Sequence, residues 1–77
     1  MRLTYDRMSD AATVYLVDDV GAGGAPQSVM CDLEIPEGAV ILLLSADQRL
    51  VGIEVLGASR ILPTNLLAKA EPPAPPI

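Results

Sequence analysis

The sequence has no histidine, no phenylalanine and no tryptophan, and only one cysteine and two tyrosines in 77 residues. Without histidine the commonest general base and metal ligand are missing, so Ser28, Ser45, Ser59 and Cys31 have no imidazole to activate them. Cys31 alone forms neither an internal disulfide nor a cysteine-based zinc site, and a lone thiol suits a reducing compartment. The core must be built from Leu, Val and Ile. At this length such a core is small and only marginally stable alone. Met1 to Asp6 holds no apolar signal-peptide core. The longest strongly apolar run, Val40 to Leu44, is far short of the ~20 residues that cross a bilayer as a helix. The expectation is a cytoplasmic protein with no membrane partner and no cofactor.

Charge is scarce and unevenly placed. Residues 1–38 hold Asp6, Asp10, Asp18, Asp19, Asp32, Glu34 and Glu37 against Arg2 and Arg7, whereas acidic and basic residues balance in 39–77. The net charge of -5 therefore sits in the N-terminal half. That surface repels a phosphate backbone, which argues against nucleic acid, and it attracts a basic protein.

What remains is mostly strand pattern. Leu3 and Tyr5 alternate with Arg2, Thr4 and Asp6 in a first strand. Residues 12–17 are β-branched and aromatic, with Ala12, Val14 and Leu16 on one face. Gly21 to Pro26 reads as a connecting loop. Residues 28–35 alternate most cleanly, with Val29, Cys31, Leu33 and Ile35 pointing inward. Val40, Ile41, Leu42, Leu43 and Leu44 are apolar throughout, and across a Ser45–Gln48 loop they face Leu50 to Leu56, which predicts an antiparallel hairpin. A strand with two apolar faces needs cover on both, and one domain of this size has little to supply, so a second subunit is the natural cover. Helical turns are expected over 58–62 and 64–70, parted by Pro63, with Leu66, Leu67 and Ala70 as the docking side. Glu71 to Ile77 reads as an extended Pro-rich tail. The expected fold is β-rich α+β: an antiparallel sheet of about five strands and a short C-terminal helix, one domain over 1–70 and a tail over 71–77.

Few constellations suggest chemistry. Asp6, Asp10, Asp18 and Asp19 offer oxygen ligands, but not at the alternate-residue spacing of an EF-hand loop, and turn-forming, solvated carboxylates explain them. Gly21, Gly23 and Gly24 lack the spacing of a phosphate-binding loop. Glu54 interrupts an apolar strand, so it must reach solvent, pair with Arg49 or Arg60, or accept backbone donors. Gly52, on the same face, leaves room for another chain segment. Carboxylate-pair acid–base chemistry remains formally open, for instance Asp10 with Glu54, but no sequence feature brings that pair together.

Tyr5-Asp6, Ser9-Asp10-Ala11-Ala12 and Leu50-Val51-Gly52-Ile53-Glu54-Val55-Leu56 with Ala58-Ser59 resemble the domain of unknown function 2283 family of small bacterial proteins. The resemblance spans about residues 3–62, and the block from Gly52 to Ser59 is its most specific part. It implies a β-rich fold with a short C-terminal helix and brings no assigned activity. This chain departs from the family pattern at Thr13, often Tyr, and at Leu43, Ser45 and Gln48, which replace acidic and glycine positions. It departs also at Gly57, where Asp is common. A family metal or ligand site on that hairpin would be largely lost here. Relatives are sometimes encoded beside small toxin-like proteins.

The reading that follows is a non-enzymatic protein-interaction domain, a homodimer with Val40 to Leu44 as candidate interface. Tyr5, Asp6, Asp10, Gly52, Ile53 and Glu54 are its candidate family-signature residues. Two alternatives stand beside it: an antitoxin-like neutraliser of a small basic toxin or ribonuclease, and a carboxylate-based small-ligand or enzymatic domain.

Overall fold

The apolar segments flanking Ser45–Arg49 form the expected hairpin in a computed structural model of the chain, which describes residues 1–18, 24–32, 34 and 37–73. Strands β4 (Ala39–Leu44) and β5 (Leu50–Leu56) pair from Ala39 opposite Leu56 to Leu43 opposite Gly52. The Ser45 N–H donates to the Arg49 carbonyl at 2.8 Å, and its hydroxyl donates to the Asp47 carboxylate, which pins the turn. A second hairpin joins β1 (Arg2–Asp6) to β2 (Ala11–Tyr15), and β3 (Gln27–Met30) lies beyond β4. The sheet order is β1-β2-β5-β4-β3, every pairing antiparallel. Two short helices follow, α1 (Ala58–Ile61) and α2 (Thr64–Ala68). The fold is thus the five-stranded, β-rich α+β arrangement the sequence predicts. β2 stops at Tyr15 rather than 17, although the Leu16 N–H still reaches the Val51 carbonyl at 3.0 Å.

Directly opposed residues of antiparallel strands share a face. By register Leu3, Tyr5, Ala12, Val14, Ile53 and Val55 lie on one face. There Ala12, Val55 and Ala58 form the buried cluster, and Ile61, Leu62 and Leu67 from the helical end pack on it. Pro63, extended at ψ 141°, parts the two helices. Of the expected docking side, Leu67 reaches the core but Leu66 is 41% exposed. Neighbours on a helix point ~100° apart, so a helix of five residues turns only one of them to the sheet.

Three expectations are corrected. The strand expected over 28–35 ends at Met30, all its residues are exposed, and Val29 is 49% exposed rather than inward. Its register with β4 sets Met30 opposite Ile41, and the Cys31 N–H donates to the Val40 carbonyl. Leu33 and Ile35 lie outside the described residues. The space over Gly52 is already filled: a Cβ there would stand 3.2 Å from Leu43 Cδ1 and 3.1 Å from the Val14 carbonyl oxygen. Finally, Glu71 does not begin a free tail. It bridges Thr4 in parallel, donating its N–H to the Leu3 carbonyl at 2.9 Å and accepting from the Tyr5 N–H at 2.8 Å. Its carboxylate pairs with Arg2. Residues 74–77 lie outside the described residues. Among those described, no helix is long and apolar enough to cross a membrane.

Candidate functional site

The turn between β1 and β2 begins with the Asp6 carboxylate accepting the Met8 N–H at 3.0 Å, a local bond typical of Asp in turns. It ends at Asp10, whose φ of 54° is a left-handed conformation that Asp tolerates better than most side chains. This geometry aims the Asp10 carboxylate at the end of the sheet where α1 starts. Oδ1 accepts the Tyr5 hydroxyl at 2.6 Å and the Ser59 N–H at 2.9 Å; Oδ2 accepts the Ser59 hydroxyl at 2.7 Å. The Asp10 carbonyl accepts the Ala58 N–H at 2.9 Å. The first turn of a helix leaves backbone donors without intrahelical partners, and Gly57, just before α1, has no side chain to cap them. Asp10 supplies the cap from a different element.

Electrostatics follow the bonds. The Tyr5 hydroxyl and then the two Ser59 donors hold the Asp10 carboxyl below its ordinary pKa, with Arg60 adding to this. The same hydrogen bond to Asp10, followed by desolvation, raises the Tyr5 phenol above its ordinary value. A carboxylate with both oxygens engaged and its pKa lowered is a poor proton acceptor. What the arrangement does chemically is bind three segments of chain: the end of β1, the β1–β2 turn and the start of α1. Arg60 adds an ion pair to Glu37 beside it.

An open depression of about 350 Å³ lies next to this cluster, lined by Tyr5, Arg7, Ser59, Thr64, Leu67 and Ala68. Neither Asp10 nor Glu54 lines it. Glu54 stands on the opposite sheet face, between Thr13 of β2 and Ile41 of β4, so the carboxylate pair weighed for catalysis does not converge. Nor does Glu54 take the arginines that the sequence offered it, since Arg49 pairs with Asp47 and Arg60 with Glu37. Of the other signature residues, Ile53 packs against the core cluster and Gly52 lies beneath Leu43. Asp18 is exposed and Asp19 lies outside the described residues. Among the described residues no group of three or more Cys, Asp or Glu is placed to hold a metal ion.

The candidate interface, Val40 to Leu44, is an interior strand between β5 and β3, half-buried at every position. Ser59 and Gly57 received no role from sequence reasoning. Their signal was present only as part of the Ala58-Ser59 signature, because a bond between residues 10 and 59 leaves no trace in local spacing.

The family model described as "Protein of unknown function (DUF2283)" matches residues 2–59, from β1 to the serine that closes the Asp10 cluster. No curated protein and no solved structure gives a match.

Proposed function

The chain belongs to the DUF2283 family, and from its geometry we propose that it is a small, non-enzymatic interaction domain that works as a homodimer. The observation that carries this is the β3–β4 side of the sheet. The helical end packs on Ala12, Val55 and Ala58, towards the β1–β2–β5 side. All six residues of β4 stay half-buried, and on β3 Val29 and Met30 are 49% and 65% exposed. Full burial of a large aliphatic side chain is worth ~1.5–3 kcal/mol over exposure. The partly exposed side chains of β4 and the exposed Val29 and Met30 therefore leave part of this gain unrealised in the single chain. A second copy is a source of cover already present in the cell at matching concentration.

Sedimentation velocity over a dilution series tests the proposal. Met30→Lys places a charge on an exposed apolar residue of β3, on the face that carries no helix, and it is expected to shift the dimer–monomer midpoint at least tenfold towards higher concentration. Leu43→Asp is expected to weaken association or, because Leu43 packs over Gly52, folding itself. Met30→Lys sedimenting like the wild type would speak against an interface on this side of the sheet.

A further inference from the structure

The two edges of the sheet are treated differently. In an antiparallel ladder the backbone N–H and C=O groups of alternate residues point towards the neighbouring strand, and those between point away. On β1 the outward groups belong to Leu3 and Tyr5. Glu71 takes the Leu3 carbonyl and the Tyr5 N–H, and Pro72 and Pro73, which have no N–H, follow it. The chain thus covers its own β1 edge.

On β3 the Cys31 N–H bonds to Val40 of β4, which sets the phase of that ladder. Gln27, Val29 and Cys31 face inward, and Ser28 and Met30 present their backbone groups outward. Among the described residues nothing pairs with them. The strand has no charged residue, and all four positions are exposed. Natural edge strands are usually blunted with lysine, proline or a covering segment, because an open uncharged edge is a template for another strand.

We propose that two copies join through this edge, β3 against β3, antiparallel about a two-fold axis at Val29, to make one continuous sheet. This rests on the homodimer reading and gives it a geometry. The register is self-complementary. With Val29 opposite Val29 of the second copy, Ser28 falls opposite Met30, so the residues with outward bonding groups meet each other and exchange both bonds. Gln27 falls opposite Cys31. Asp32 falls opposite Pro26, so no carboxylate faces another across the seam, and Pro26, without an N–H, ends the pairing. A two-fold axis makes the contact isologous and closed, so it stops at a dimer rather than growing into a fibre. β4 then lies one strand in from the seam in each copy, and the exposed Val29 side chains face each other on the helix-bearing side.

Proline substitution separates this edge from the fold. Ser28→Pro and Met30→Pro each remove an outward N–H, whereas the internal ladder to β4 runs through Gln27, Val29 and Cys31. Both variants are expected to keep the amide chemical shifts of β1, β2 and β5 and to raise the dimer dissociation constant at least tenfold. In the full wild-type chain the Ser28 and Met30 amides are expected to be protected from hydrogen exchange, with protection falling on dilution; this readout needs no variant to fold. If the wild type is a dimer but Ser28 and Met30 exchange freely, or both proline variants associate as the wild type does, the edge pairing is wrong and the homodimer stands. If the wild type is monomeric at every concentration, the homodimer reading falls and the edge pairing falls with it.

Discussion

Asp10→Ala is expected to lower stability more than any other truncation of a polar side chain in the molecule. The substitution deprives the Tyr5 hydroxyl, the Ser59 N–H and the Ser59 hydroxyl of one shared acceptor, and it puts alanine at a φ of 54° that alanine adopts poorly. Unpaired donors cost more than the bonds alone were worth. Asp10→Asn, which keeps an acceptor and tolerates the backbone, is expected to fall between alanine and wild type. Tyr5→Phe and Ser59→Ala, each removing one partner, are expected to cost less than Asp10→Ala. In combination with Asp10→Ala they should add little, because the bond they remove is already gone. Urea unfolding midpoints check the order.

The same bonds impose a pH window. The Asp10 carboxyl is held below its ordinary range in the folded chain. Its contribution is therefore complete above the unfolded aspartate value of about 4 and is lost as pH falls through the lower folded value. The Tyr5 phenol is raised, so its contribution is complete below the unfolded tyrosine value of about 10 and is lost as pH rises through the higher folded one. Tyr5→Phe should flatten the alkaline limb and keep part of the acid one, because Ser59 still donates to Asp10. An Asp10→Ala protein with a wild-type acid limb would show that the cluster does not stabilise the fold.

Gly57→Ala is the second large expected effect. Gly57 has a φ of 71°, and a Cβ there would stand 2.6 Å from the Glu37 carbonyl oxygen and 3.1 Å from Gly38 Cα. A left-handed alanine costs roughly 1–2 kcal/mol, and here backbone rather than a flexible side chain must also move. A total of about 3 kcal/mol is expected, which for a domain of this size lowers Tm by on the order of 10 °C or more. Gly57→Asn tells the two causes apart, since asparagine accepts the dihedral but meets the same oxygen. It should recover little if the clash dominates and most if the dihedral does.

Much of the sheet was legible because its signals are local. The run from Ala39 to Leu56, broken at Ser45, Asp47, Gln48 and Arg49 with Ser45 and Asp47 suited to a turn, specifies a hairpin, and Pro63 specifies a break between helices. The β3 region misled for a related reason. Alternation from Ser28 to Ile35 records which residues are apolar, but strand length is set by the partner, and Cys31 already bonds to the second residue of β4. Glu71 misled because a proline-rich context forbids strand interiors yet leaves the residue before the prolines free to make a single bridge. The Asp10 cluster was half legible. Tyr5, Asp6 and Asp10 stood out as part of a motif, but their chemistry depends on Ser59, which lies at the far end of the chain. Read from the sequence, Asp10 is a family-signature residue with no assigned role. With Ser59 in place it is a helix cap and a clasp.

The central claim is that this domain functions through contact with a second copy of itself. The most direct measurement is the mass of the full chain by static light scattering at micromolar concentration, with circular dichroism on the same sample to report folding. The account predicts twice the chain mass, falling towards the single mass on dilution. A stable, well-folded species with the mass of one chain at every concentration would contradict it.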